Sequence, residues 1–410
     1  MTEGRLWNRN YCKVMTANFM LFFAFYVLTP LLPLYLSDHF GATKSVIGLV
    51  LSGYTITALV SRPLSGFLVD SFPRKLVLMA SFTAFAVFFA GYLAASTLLL
   101  FTIVRTLHGA PFGALTVANS TVAIDVLPSS RRTEGIGYYG LSNNLAMAIA
   151  PTIGIWLYHL THSFDLLFWI ALGVAFAGLA VDGSVKINDS RQHKASGVIS
   201  LDRFFLLRGW LLGVNMVAFG FCFGVLSNYL AIYGREQLGI TGGTGTYFLL
   251  CSLGLMLSRL QGSRALRRGL LTHNAAEGMI ISLVGYTLFI LGPTLAQLTS
   301  ATAGQMIIDV SYYGSAILIG LGNGHMWPAF QNMTISVATH SQRGTANSTI
   351  LVSWDVGMGL GILLGGIIAG NLGYNVTFWV VAVVNMVGVV TFFTRTRRFF
   401  LQRNLDTSVH

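Results

Sequence analysis

Charge is the scarcest ingredient of this sequence. Only 10% of its 410 residues are Asp, Glu, Lys or Arg, against roughly 25% in a water-soluble domain. So few charges cannot cover the surface of a soluble protein this size. With 54% of the residues apolar and a mean hydropathy of +0.68, the chain reads as an integral membrane protein. Cysteine is scarce as well. Cys12, Cys222 and Cys251 lie at or within apolar segments, are odd in number and lack metal-ligand spacing, which leaves them as packing residues. The sequence contains no G-x-x-x-x-G-K-[ST] segment, which argues against a nucleotide-driven pump. It contains no nucleophile elbow or metal cluster either, which argues against a membrane enzyme and calls for no cofactor. The first apolar run is of full spanning length and leads into further spans, so no cleavable signal peptide is expected.

What charge there is carries a sign and a pattern. The net charge of +11 invites a nucleic-acid reading, but the positions of the cations argue against one. Twenty of the 25 Lys and Arg residues fall on alternate loops: at 5–13, Arg74 and Lys75, Arg131 and Arg132, 186–208, 264–268, Arg343 and 395–403. The intervening loops hold only Lys44 and Arg235, and Arg62, Arg105 and Arg259 lie inside apolar runs. This asymmetry is that of cytoplasmic loops, and it places both termini in the cytoplasm.

Apolar segments of about 20 residues, the length that crosses a bilayer as a helix, recur at 14–36, 46–69, 76–95, 98–122, 133–158, 164–184, 209–232, 245–263, 275–296, 304–330, 344–369 and 375–394. The polar stretch 186–208 divides the chain almost in half. The expected organisation is a six-helix bundle at 1–185, a cytoplasmic linker at 186–208 and a second six-helix bundle at 209–410. The halves resemble each other. With one shift Gly109 falls on Gly320, Gly113 on Gly324, Arg132 on Arg343, Ser142 on Ser353 and Gly154 on Gly365; with another, Gly41 falls on Gly239 and Thr43 on Thr241. That is the mark of a parallel duplication related by an axis along the membrane normal.

Between the second and third spans the chain reads GFLVDSFPRK, from Gly66 to Lys75. So short a connection forms a tight hairpin at a membrane surface. Asp70 is placed to accept hydrogen bonds from a helix N-terminus, and Arg74 to pair with a carboxylate, for which Asp125 is the candidate. Four segments in order resemble motifs of the major facilitator superfamily: this loop; Arg105 through Gly109 to Gly113 in the fourth span; Asp125, Pro128, Arg131, Arg132 and Glu134 after it; and Ala146 through Ala150, Pro151 and Gly154 in the fifth. Together they resemble the twelve-helix drug/proton antiporter branch. Ala146 and Ala150 stand where its fifth-helix motif has glycines, and Pro73 stands where its loop has one. The resemblance implies an all-α membrane fold of two pseudo-symmetric bundles in a multi-pass inner-membrane protein, an alternating-access mechanism, and a role for Arg105 in proton coupling.

Charges within the bilayer are costly and mark functional candidates. Asp355 lies about 16 Å along its helix from Gly344, near the middle of a hydrocarbon layer about 30 Å thick, and is the leading proton carrier. The other reading is a structural ion pair. Asn144 falls opposite it in the first half. Arg105 is either a coupling residue or a side chain snorkelling to the outer interface. His108, one turn on, and His325, beside Asn323, are either shuttles or hydrogen-bonded core residues. The expected cavity lining comprises Asn18, Phe22 and Tyr26, Asn143 and Asn144, Asn215, Asn228 and Tyr229, and Asn323, Trp327 and Trp354. That mixture suits an amphipathic organic molecule, neutral or weakly cationic; the alternative is that these aromatics pack between helices. Pro151 and Gly154 in the fifth span, and Gly361 and Gly365 in the eleventh, are expected where helices slide.

The expected partners are thus a small-molecule substrate, protons and the lipid bilayer, with no nucleic acid and a monomeric chain. Three functions remain open from sequence: a proton-coupled efflux antiporter, a proton symporter importing a nutrient, metabolite or siderophore, and a receptor on the same scaffold that does not transport.

Overall fold

The computed structural model describes residues 6–128, 132–187, 205–240, 242–267, 270–338 and 343–404. Among them every regular element is helical. The α-helices are α1 (Arg9–Tyr26), α2 (Leu32–Phe40), α3 (Lys44–Ser71), α4 (Arg74–Ala94), α5 (Leu98–Asp125), α6 (Arg132–Thr161), α7 (Phe164–Gly183), α8 (Trp210–Tyr233), α9 (Gly243–Arg267), α10 (Leu271–Ala296), α11 (Ala301–Ser336), α12 (Arg343–Thr391) and α13 (Arg397–Arg403). Short polar side chains set several starts. Asn8, Thr97 and Ser163 each accept a backbone N–H three residues on, capping α1, α5 and α7. Among the described residues, seven stretches qualify by length and composition to cross a membrane, including Arg74–Ala94, Phe164–Gly183 and Leu271–Ala296.

Three of the expected spans take a different form. The first, expected unbroken over 14–36, stops at Tyr26 and resumes at Leu32. Pro30 lacks a backbone N–H and disfavours helical geometry in the residue before it, so the chain turns at 27–31. There Thr29 Oγ1 donates to the Phe25 carbonyl (2.8 Å), and the Leu32 N–H to that of Leu28 (3.0 Å). The last two spans, expected as separate helices, form the 49-residue element α12 with a break at Gly373, where φ is +86°. At 1.5 Å per residue an unbroken helix of that length would be roughly 70 Å long, more than twice the thickness of a bilayer core. The break at Gly373 divides it into arms of spanning length, and only glycine takes that φ without strain.

The chain divides into two compact units, Met1–Ala42 with Leu49–Gly197, and Thr43–Gly48 with Val198–His410. Positions 188–204, most of the expected linker, lie outside the described residues. In the first unit α1 packs on α6 and α7, and α4 on α5 and α7; in the second α10 packs on α11, α8 on α12, and α9 on α11.

The repeat seen in the sequence recurs as packing inside each unit. A Cβ added at Gly109 would fall on the Tyr54 carbonyl and Thr57 Oγ1, and one at Gly113 on Ser61 Oγ and the Ala58 carbonyl, so α5 lies against the backbone and small hydroxyl side chains of α3. A Cβ at Gly320 would fall on the Cys251 carbonyl, and one at Gly324 on Ser258 Oγ, with the Leu255 carbonyl oxygen 2.8 Å away, so α11 lies against α9 in the same way. Gly41 and Gly239, paired by the second shift, both take left-handed backbone, with φ of +61° and +67°. Without water to drive apolar surfaces together, close backbone approach is what holds such helices in contact.

These seams predict which glycines tolerate a side chain. Gly109→Val and Gly320→Val force backbone apart and are expected to lose folded, monodisperse protein or lower its melting temperature by more than 10 °C. Gly140→Ala, whose added Cβ meets nothing within 4 Å, is expected to leave it unchanged. Size-exclusion chromatography and thermal unfolding in detergent make the comparison.

Candidate functional site

Within the first unit, α5 turns Arg105, His108 and Phe112 to one side, three and four residues apart, and all three are buried. The Arg105 guanidinium lies over the Tyr54 ring, 4.0 Å from its centre, and its Nη1 donates to the Tyr92 hydroxyl (3.1 Å). The same hydroxyl stands 2.7 Å from His108 Nδ1. Since its oxygen accepts from Arg105, its proton is free to go to Nδ1, and a neutral His108 then carries its own proton on Nε2. The imidazole stacks on Phe88 (5.2 Å) and meets Phe85 and Phe89 (4.8 Å each) and Tyr54 (5.5 Å). Arg105 Nε, His108 Nε2 and the Tyr54 hydroxyl are buried with no hydrogen-bond partner.

Arg105 is 5% exposed, so it does not snorkel to the interface. An uncompensated buried charge costs several kcal/mol. A cation over an aromatic face returns about 0.5–2 kcal/mol, and a hydrogen bond from a charged group about 1.5–3 kcal/mol. The carboxylate of Asp125 goes to Arg74, and Arg105 is held by tyrosines. An aromatic wall continues from the cluster. Phe25 stacks on Tyr54 (5.4 Å) and Phe112 (4.9 Å), Phe22 meets Phe112 edge-on (5.9 Å), and Tyr26 stacks on Phe22 (6.0 Å).

Asn18, the remaining expected lining residue of α1, sits in a separate buried network. Its Nδ2 donates to Ser142 Oγ (2.7 Å), and its Oδ1 accepts from the Tyr139 hydroxyl (2.7 Å) and from Asn119 Nδ2 (3.4 Å). Asn143 and Asn144 are half-buried, and Asn143 Oδ1 has no partner. Gly154 closes on the carbonyl of Val27, beside the turn after α1, one turn beyond Pro151.

At the start of α4, Arg74 pairs with Asp125 at the end of α5. Lys75 Nζ donates to the carbonyls of Asp182 (2.5 Å), Gly183 (2.9 Å) and Val185 (2.9 Å), completing the C-terminus of α7. The Asp70 side chain and the surroundings of Gly66 lie outside what the structure describes.

Within the second unit Asp355 is half-buried in the first arm of α12. Beside it Trp354 meets Trp327 edge-on (5.0 Å) and Phe223 (5.5 Å). His325 is buried. Its Nδ1 donates to the Leu321 carbonyl (3.0 Å) and its own carbonyl accepts from Asn274 Nδ2 (2.8 Å), while Asn323 is half-buried. Asn215 donates to the Gly388 carbonyl (2.8 Å) and accepts from Thr396 (2.6 Å). Asn228 donates to the Gly224 carbonyl (3.0 Å), and the Tyr229 hydroxyl to that of Ile362 (2.7 Å). Gly361 closes on the Phe221 carbonyl, and a Cβ at Gly365 would meet Val225 Cγ2 at 3.0 Å.

Sequence reasoning passed over Tyr54, Tyr92 and Phe112, which read as ordinary aromatics of apolar runs, and Asp182. The Asp182 side chain is fully buried at the end of α7, with neither carboxyl oxygen hydrogen-bonded. The signal available was Lys75, a cation at the same membrane face.

The sequence profile described as Major Facilitator Superfamily matches residues 14–308 and 276–404. The chain is similar to the Staphylopine export protein of Staphylococcus aureus (strain Mu50), 23% identical over 390 residues, which span 93% of this chain and 94% of that one. It is also similar to the Quinolone resistance protein NorA of Staphylococcus aureus (strain MRSA252), 24% identical over 239 residues, or 55% of this chain and 61% of that one. Among solved structures, the nucleoside transporter NupG matches with a TM-score of 0.74 at 15% identity, over 94% of this chain and 98% of that one.

The Tyr92 hydroxyl is hydrogen-bonded to both Arg105 and His108. Tyr92→Phe is expected to destabilise the protein by about 1–3 kcal/mol, since it strips a buried cation of its acceptor, and to lower the thermal midpoint by several degrees. Tyr138→Phe, on an exposed ring, serves as the unchanged control.

Proposed function

The chain belongs to the Major Facilitator Superfamily, and on that premise we propose that it is a proton-coupled exporter of a small amphipathic organic molecule. It would work by alternating access in the inner membrane, as a monomer with twelve spans and both termini cytoplasmic. Export rather than import is supported by the likeness to the Staphylopine export protein along nearly its whole length and to NorA along part of it.

The observation that carries the coupling is Asp355: a carboxylate in the interior of a membrane helix, half-buried beside the Trp327–Trp354 pair. A carboxylate held there changes its preferred surroundings when it takes a proton, since the neutral form tolerates a closed, dry environment and the ionised form resists it. Protonation at one membrane face and release at the other would let the proton gradient set the direction of the cycle. Arg105 would modulate that step, with His108 and His325 as the further titratable groups in the two units. Arg74, Lys75 and Asp125, with Gly66 and Asp70, would latch the cytoplasmic ends of the first unit's helices. Pro151, Gly154, Gly361 and Gly365 would keep α6 and α12 slender enough to shift.

Proteoliposomes test the coupling, with ethidium and 1-naphthoate as cationic and anionic fluorescent probes. An imposed acid-inside gradient is expected to drive uptake of at least one probe tenfold or more over the no-gradient control. Asp355→Asn is expected to abolish that stimulation while retaining downhill movement. Absence of gradient-driven movement, or full coupling in Asp355→Asn, contradicts the proposal.

A further inference from the structure

The aromatic composition of the expected lining favours a neutral or weakly cationic molecule. The first unit holds something that points the other way. Arg105 carries a permanent positive charge, is 5% exposed, and meets a ring face and a hydroxyl. Three polar groups of one cluster lack a partner: Arg105 Nε, His108 Nε2 and the Tyr54 hydroxyl. With Tyr92 donating to Nδ1, His108 offers a proton at Nε2, so all three unmatched groups can donate. Three donors around a fixed cation call for a compact acceptor bearing negative charge.

We propose that the Arg105–Tyr54–His108 cluster receives a carboxylate group of the transported molecule. This rests on the export reading and names a chemical feature of the cargo. A carboxylate fits better than other anions. It is planar, carries the single charge that one guanidinium balances, and presents two oxygens with lone pairs enough for three or four donors. The neighbouring surface defines what the carboxylate is attached to. Phe25, half-buried on α1, stacks on Tyr54 and on Phe112, so the wall beside the cation is aromatic. The cargo then has an acidic end against Arg105 and a flat apolar body along Phe25 and Phe112. The bound acid would replace a hydroxyl as the guanidinium's main partner, so the cluster holds its ligand by charge as well as by contact.

The test uses full-length purified protein in lipid nanodiscs with no proton gradient, and three probes of the same body: 1-naphthoate, 1-naphthamide and 1-naphthylmethylamine. Thermal shift and tryptophan-fluorescence titration read binding. The acid is expected to bind at least tenfold tighter than the amide or the amine. Arg105→Gln is expected to erase that preference, and Tyr54→Phe, which keeps the ring and removes only the hydroxyl, to weaken acid binding three- to tenfold. Should Arg105→Gln fail to fold, Tyr54→Phe decides alone. Equal binding of acid and amide, binding of none of the three, preference for the amine, or undiminished acid preference in the variants that fold overturns the proposal. Because no gradient is present, a protein that prefers the acid yet shows no proton-driven flux loses the coupled-export reading and keeps this one; the reverse pair of results does the opposite.

Discussion

A guanidinium inside a membrane helix has to be held by the protein, because lipid offers it nothing. In the first unit that task falls to two tyrosines on neighbouring helices: Tyr54 of α3 beneath the cation and Tyr92 of α4 accepting its hydrogen bond. The arrangement fixes α3, α4 and α5 relative to one another. It also fixes His108, because Tyr92 bridges the imidazole to the arginine. The polar groups of this cluster are either in that chain or stand unpartnered beside it, which is why it reads as a site and not as core.

The glycine seams make the cluster geometrically possible. Tyr54 reaches under Arg105 because Gly109 lets α5 approach the backbone of α3 at Tyr54 itself. The same seam recurs between α9 and α11, where Gly320 meets Cys251, but the second unit has no arginine at the equivalent place: position 316 is alanine. The duplication thus preserves the packing device and differs in the chemistry set upon it. The second unit carries a half-buried carboxylate on α12, at Asp355, next in sequence to Trp354, whose ring meets Trp327 edge-on.

Much of the fold was legible from the chain alone because a membrane helix announces itself through length and hydropathy, with little need of partner information. The seven α-helices from α4 to α11 other than α9 begin and end close to the expected spans, and Gly109 and Gly320, aligned by the first shift, both lie against a neighbouring helix's carbonyl. The breaks were harder. Pro30 splits a run whose hydropathy is continuous, and Gly373 joins two runs that looked separate. The site was half legible. Arg105 and His108 stood out as polar residues in an apolar helix. Tyr54 and Tyr92 did not, because their role depends on which helix lies opposite, and periodicity within one helix carries no record of its neighbour. Arg74 and Asp125 were matched in advance because opposite charges at one membrane face have few alternatives. Asp182 escaped for the opposite reason, as a helix-end carboxylate normally faces water.

Arg105 is held by Tyr54 and Tyr92 but keeps one buried N–H, at Nε, without a hydrogen-bond partner, and the proposed carboxylate would meet it there. The measurement closest to that claim is the side-chain Nε–H resonance of Arg105, observed in nanodisc-embedded protein labelled with 15N-arginine and identified by its loss in Arg105→Gln. The account predicts that 1-naphthoate shifts this resonance in a saturable way and that 1-naphthamide leaves it in place. A resonance that ignores both probes, or follows both alike, would contradict it.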